Sequence, residues 1–272
     1  MPPRLPRRLL AALPLLAAAP ALTTALTTAP ALAAPDGSLR RVREAGVLRL
    51  GVQVEGTAAA SRAADGSLRG YLPQLGSRIA AGLGVRPDFV PVPRGDMLGL
   101  LLQGAFDLGL GGAIASTHVA LTALLTTPVM QFQLVVLTHR NLVIRGMSEL
   151  LGRPVGVVEG RSFAAALREA GLEPRRIVTH ANWEGAAGAL LRREEDALIV
   201  PAYHVPEIQR VAPEATARFT LGDFWHCGVV RFGEHDLLRA IDVLLYLLRH
   251  EGELPGLHRA FFDRELRAGR TL

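Results

Sequence analysis

One local plan occurs twice in this chain, and the doubling constrains the fold more than any other feature. An apolar run ending in a Glu-Gly turn stands at Leu48–Gly56 (LRLGVQVEG) and again at Pro154–Gly160 (PVGVVEG). Downstream of each, a Leu-rich helical stretch ends in an aspartate that opens a new apolar strand. The first is Met97–Leu110 with Asp107, the second Ala186–Val200 with Asp196. Between these ends each half holds one more short strand pattern, Pro87–Val92 and Arg176–His180. Two β-α-β-α-β units predict an α/β fold of two lobes. Ligands of open α/β sheets sit beyond the carboxyl ends of the strands, so the expected site is the cleft between the lobes.

The first 33 residues read as a signal peptide. Arg4, Arg7 and Arg8 form a basic start, an Ala/Leu stretch follows from Leu9, and Ala31-Leu32-Ala33 offers small residues for cleavage. Pro14, Pro20 and Pro30 argue against a stable membrane span. Without residues 1–33, 239 of the 272 residues remain, and three Arg leave with no acid, so the formal charge falls from +5 to +2. The 30 basic residues are all Arg, a bias that resembles coding preference more than an electrostatic role, and no nucleic-acid partner is expected. Cys227 is the single cysteine, which excludes an internal disulfide; its apolar-aromatic neighbourhood, Phe224–Val230, suggests a buried small side chain.

Periodicity places a leading helix at 39–45, a strand at 47–54 and a hairpin tipped by Asp65-Gly66. Leu72, Leu75, Ile79 and Leu83 make a helical stripe stopped by Gly84. Strand 87–92, helix 96–103 and strand 106–111 follow. A helix over 118–125, capped by Ser116 or Thr117 and ended by Pro128, precedes an extended run at 130–137. The second unit reads as strand 154–158, helix 163–170 capped by Ser162, strand 176–180, helix 184–193 and strand 196–200. Residues 217–231 cross back, and a helix at 235–249 carries Leu237, Leu238, Ile241, Leu244, Leu245 and Leu248 on one apolar face. Lobe 1 is expected to comprise 40–133 plus 222–272, and lobe 2 134–221.

These markers, in this order, resemble the family-3 extracellular solute-binding proteins of ABC importers. The resemblance rests on Leu48-Arg49-Leu50-Gly51-Val52, Asp65-Gly66 with Gly70-Tyr71, Leu83-Gly84-Val85 with Phe89-Val90-Pro91-Val92, Gly104-Ala105-Phe106-Asp107-Leu108, Pro128, Val155-Gly156-Val157 with Gly160, and Asp196-Ala197. It implies a two-lobed periplasmic-binding-protein-like fold of type II, its β-α-β lobes joined by two crossing strands and closing by a hinge. It also implies a periplasmic, monomeric protein that takes a small-molecule ligand and serves an ABC permease. In relatives that bind α-amino acids, an arginine after the third strand forks onto the ligand carboxylate, and an acid in the second lobe takes the ammonium. A gap-free alignment puts the arginine position on Val119, the hydroxyl three residues earlier on Ser116, and the acid on Pro201. The aromatic cover falls near Ala59, and the acidic pair after the Gly-aromatic dipeptide falls on Leu72 and Gln74. A buried zwitterion without counter-charges is costly, so the expected ligand is not a simple α-amino acid.

Candidate ligand-binding residues are Glu55 and Glu159, which end the first strand of each lobe, and Arg161 just beyond the second turn. Ser116, Thr117 and Ser162 stand at helix N-termini, and His118, Tyr203, His204 and Trp225, with His226 beside the last, fall near the cleft or hinge. The plainer alternatives are turn solvation for the acids and Arg161, N-capping for the hydroxyls, and interface packing for the aromatics. The histidine spacing is not a metal motif, and no metal or cofactor is expected. Neither a Gly-x-Ser-x-Gly elbow nor a phosphate-binding loop is present, and the missing arginine removes the clamp that a dehydratase relative would need, so no enzymatic activity is expected. Loss of polar cleft groups also fits a binding fold redirected to a periplasmic protein partner, such as an accessory factor for a quinoprotein dehydrogenase.

Overall fold

A computed structural model describes residues 35–158, 167–168, 171, 177–263 and 266. Its framework is one eight-stranded sheet in which two strands are far longer than the rest. β6 (Leu124–His139) and β10 (Ala215–Val230) run antiparallel over 16 residues each. At about 3.3 Å per residue such a strand reaches about 50 Å, long enough to belong to both ends of the molecule. On one side of the pair lie β1 (Val47–Gln53), β4 (Arg86–Val92) and β5 (Leu108–Leu110), parallel to one another. On the other lie β7 (Val155–Val158), β8 (Ile177–His180) and β9 (Ala197–Pro201), also parallel. The order is β4-β1-β5-β10-β6-β9-β7-β8. Each copy of the repeated plan thus supplies three parallel strands, with its first strand between the other two in one lobe and the same arrangement mirrored in the second. The two crossing strands connect the lobes. Register shifts at four places between β6 and β10 leave residues unpaired and increase the local twist there.

The hairpin β2 (Ser61–Arg62) and β3 (Leu68–Arg69) brings the chain to α2 (Tyr71–Gly82), whose stripe Leu72, Leu75 and Ile79 is buried. Gly70 is required at that junction. Its φ is 123°, and a Cβ there would stand 2.8 Å from the Ala59 carbonyl oxygen. α1 (Ser38–Ala45) and α3 (Met97–Leu102) complete the helices expected before residue 110.

The region after β5 departs from the sequence reading. The helix expected over 118–125 is a single turn, α4 (Thr117–Ala120), and β6 begins at Leu124. Pro128 does not end a helix; it sits inside β6 opposite Cys227, at one of the register shifts, where its missing N–H interrupts no regular ladder. The β-branched pair Thr126-Thr127 favours extended backbone here.

In the second half α5 (Met147–Leu150) precedes β7, α6 (Trp183–Arg192) precedes β9, and α7 (Val205–Val211) follows a 3-10 turn at Ala202–His204. Of the helix expected at 163–170 only residues 167–168 are described. α8 (His235–His250) buries Leu237, Ile241 and Leu245 and packs on α1, α2 and β6. It lies so close to α2 that a Cβ on Gly82 would stand 2.6 Å from Leu244 Cδ2. α9 (Glu253–Phe262) then covers Tyr71, with the rings of Tyr71 and His258 edge to face at 5.5 Å. The helices α5, α7 and α9 are absent from the sequence reading. Cys227 is free and fully buried, and desolvation pushes its thiol up to about 12. Among the described residues no helix is long and apolar enough to cross a membrane.

Candidate functional site

The strands β1 and β4 of the first lobe and β9 of the second deliver their carboxyl ends to one cavity of about 510 Å³. Gln53 and Glu55 come from the end of β1, Arg94 from the turn after β4, and Pro201 and Tyr203 from the end of β9 and the 3-10 turn beyond it. Trp183, at the start of α6, and Phe132, from β6, add aromatic wall, and Met97, Leu98 and Leu100 of α3 line the opposite side.

Glu55 is the electrostatic centre of this cavity. One carboxylate oxygen accepts from Arg94 at 2.9 Å and from the amide of Gln53; the other accepts from His204 Nε2 at 2.8 Å. A carboxylate can only accept, so His204 Nε2 carries the proton. Burial alone would raise the Glu55 pKa. The His204 hydrogen bond and charge, with the charges of Arg94 and His226, outweigh it and hold the group at about 2. His204 is fully buried, its ring 4.4 Å from that of Trp183 and 4.8 Å from that of Tyr203. Its Nδ1 and the indole nitrogen of Trp183 have no hydrogen-bond partner among the described residues. The Arg94 guanidinium lies 5.4 Å from the Trp183 ring centre, a cation–π geometry. Across the cavity His226 stacks on Phe132 at 4.6 Å and donates from Nδ1 to the Ala113 carbonyl at 3.1 Å. Desolvation lowers its pKa, against the Glu55 charge and the Ala113 carbonyl.

The expected residues divide unevenly. Glu55, His118 and Tyr203 line the cavity, and His204 stands directly behind Glu55. The Ser116 hydroxyl accepts from Val119 N–H at 3.4 Å, which makes it the N-cap of α4, and Thr117 is exposed at the first position of that helix. Trp225 is half-buried against the main core and does not line the cavity; its carbonyl accepts from Ala115 N–H at 2.8 Å. Glu159, Arg161 and Ser162 lie outside the described residues.

The position that the gap-free alignment compares with the arginine is buried. Val119 does not face the cleft; it is fully buried with Met97, Leu101, Phe106 and Val229, whereas its neighbour His118 faces the cavity. Pro201 does line the cavity, while Ala59 and Leu72 are buried. Sequence reading missed Arg94, Gln53, Trp183 and Phe132 as wall residues. Arg94 was within reach, because the strand-end rule that singles out Glu55 applies equally to the turn after β4. Among the described residues no group of three or more His, Cys, Asp or Glu could hold a metal.

A cleft between two three-stranded parallel arrays, spanned by two crossing strands, defines a two-lobed binding protein. The sequence pattern of the bacterial extracellular solute-binding proteins, family 3, matches residues 48–264, and the chain belongs to that family. No curated protein matches it. Solved structures with the same fold include a substrate-binding protein of an ABC uptake transporter from Streptococcus pneumoniae with bound histidine. The two are 16% identical, with 86% of this chain and 99% of that one covered at a TM-score of 0.74. An ancestral amino acid-binding protein, a precursor of cyclohexadienyl dehydratase, is 19% identical over 83% of this chain and 99% of its own, with a TM-score of 0.71. A histidine kinase sensor domain with similarity to periplasmic binding proteins is 19% identical over 80% of this chain and 97% of its own, with a TM-score of 0.72. At these identities the likeness shows the fold alone.

Proposed function

We propose that the protein is a non-catalytic solute receptor of the periplasm, exported on residues 1–33, that captures a ligand in the interlobe cleft for an ABC importer. In this reading lobe 1 comprises 40–133 plus 222–272 and lobe 2 comprises 134–221, and the protein works as a monomer. The solute is not a simple α-amino acid. The observation that carries this is the state of Arg94. It is the guanidinium that lines the cavity among the described residues, and it is already paired with Glu55. Val119 and Pro201 supply no replacement for the lost counter-charges, so a zwitterion would enter without partners. Calorimetry against the common amino acids is expected to show no binding tighter than about 1 mM, or about 4 kcal/mol. Micromolar binding of any one of them would sink this reading.

A second reading keeps the fold and replaces the solute by a periplasmic protein partner, such as a quinoprotein dehydrogenase. Leu102 and Leu121, 57% and 77% exposed next to cavity residues, favour it. Co-purification of a dehydrogenase, together with an empty solute screen, would decide for it.

A further inference from the structure

We propose that Glu55 is a built-in carboxylate ligand: it occupies the cleft's own anion-binding pair, Arg94 and His204, latches the lobes together, and excludes solutes that carry a carboxylate. The inference rests on the cleft being the solute site and names the class of solute that site refuses. Glu55 follows β1 in one lobe and His204 follows β9 in the other, 149 residues apart, and their 2.8 Å contact spans the cleft directly. Arg94 reinforces the same join. It donates to Glu55 at 2.9 Å and lies over Trp183, which opens α6 on the far side. Both fastenings therefore pass through Glu55 or through the arginine it holds.

Hinged two-lobed proteins close when something favours the closed arrangement over the open one. In most such clefts the bridging charge comes from outside. Here the protein supplies it, on a short tether. A tethered group competes with an effective concentration that free solutes at ordinary levels do not reach. A solute carboxylate would have to displace Glu55 from three donors, Arg94, His204 and Gln53, only to make the same bonds itself. The exchange gains nothing in contacts and leaves the Glu55 charge without partners. A solute without a carboxylate leaves the latch in place and meets the aromatic wall of Phe132, Trp183 and Tyr203.

The test places spin labels at Arg62→Cys and Arg210→Cys, exposed positions on β2 and α7, and measures their separation. Native Cys227 is fully buried and does not compete for label. The parent protein is expected to give one short distance without any solute. Glu55→Ala is expected to move the population to longer distances. Acetate or benzoate should then restore the short distance by filling the place of the missing carboxylate. Calorimetry should show these anions binding Glu55→Ala at least about tenfold tighter than the parent, about 1.4 kcal/mol. Glu55→Gln, which keeps the shape and loses the charge, should shift the distance the same way, and it carries the test if Glu55→Ala does not fold. Unchanged distances in both variants, or equal carboxylate affinity with and without Glu55, would overturn the proposal. Solute capture is tested apart from this, by screening the parent protein. A parent that binds no solute beside a variant that behaves as described refutes the receptor reading and leaves the latch standing.

Discussion

Asp107 and Asp196 occupy the same place in the two copies of the repeated plan, yet they live in different electrostatic surroundings. Asp107 opens β5 with its side chain 2% exposed. It accepts from Arg49 through Nε, Nη2 and the backbone N–H, at 3.1, 2.8 and 3.1 Å, and from Arg41 at 2.8 Å. Arg231 stands 3.8 Å away, and Glu234 ties Arg41 and Arg231 together. One aspartate thus joins α1, β1, β5 and the chain leading into α8. Asp196 opens β9 with its side chain 35% exposed, and among the described residues its carboxylate pairs with Arg153 alone, at 2.9 Å. The repeat conserves topology, while the energetic role of a repeated residue depends on what the rest of the chain lays over it. Among the described residues, Asp107 receives α1 and the segment leading into α8, and Asp196 receives neither.

Asp107→Ala is the largest test of that contrast. It takes from a buried site the only carboxylate that Arg49 pairs with among the described residues and one of the two held by Arg41, while Glu234 still holds Arg41 and Arg231, a loss of about 4 kcal/mol. For a chain of this size that corresponds to a fall in Tm of about 8–16 °C. Thermal unfolding followed by circular dichroism measures it. A fall of only a degree or two would mean that the arginines find water and that burial does not separate the two aspartates.

The same contrast marks how far the sequence can be read. The strands, the crossing runs and the apolar face of α8 are legible because their signal is periodic and local: Leu72, Leu75 and Ile79 repeat at helical spacing, β7 is an unbroken apolar run, and β1 alternates Leu48, Leu50 and Val52 with other residues. Glu55 and Tyr203 were reachable by a rule, that chemistry gathers where parallel strands end. The inward turn of Val119 was not, because it depends on how α4 packs against α3 and β10, which are distant in sequence. Nothing in Thr117–Leu121 says where β6 begins, and Pro128, a usual helix stop, argued for the wrong boundary. The pairing of Glu55 with His204 was equally hidden. Each residue was a candidate alone, but their contact exists only once two lobes distant in sequence meet. Short helices such as α5 and α7 are stabilised by packing more than by propensity, so their sequences announce little.

Glu55 sharpens the comparison from a third position, between the lobes. Its pKa is held at about 2 against an ordinary 4.5, with burial opposing and His204 and Arg94 prevailing. Asp107 is lowered too, against the desolvation of its burial, by Arg49 and Arg41. A depressed carboxylate stabilises the fold fully above its unfolded pKa and loses that contribution as pH falls through the folded value. The Glu55 share, about 3 kcal/mol, is therefore present above about pH 4.5 and gone near pH 2. Urea unfolding of the parent and of Glu55→Gln should give stabilities that differ above that window and converge as pH falls across it. A difference independent of pH between about 5 and 2 would show that the charge of Glu55 contributes nothing to the folded state.

The smallest expected effect is also the one that can most easily break the contrast. Asp196→Ala removes a single half-exposed pair, and water can solvate both the vacated site and the Arg153 guanidinium, which keeps its second bond, from Nε to the Glu149 carbonyl at 2.8 Å. Exposed pairs of this kind contribute about 0–1 kcal/mol, and added salt screens even that. The variant should therefore unfold within about 1 kcal/mol of the parent at low salt and nearer still at high salt. Asp107→Ala, whose carboxylate is shielded from solvent, should keep most of its deficit under the same conditions. If Asp196→Ala proved as damaging as Asp107→Ala, the strand-opening aspartate would have a role set by the repeat itself, through its place at the start of β9. The shell of arginines around Asp107 would then be reinforcement, with the strand start as the common cause.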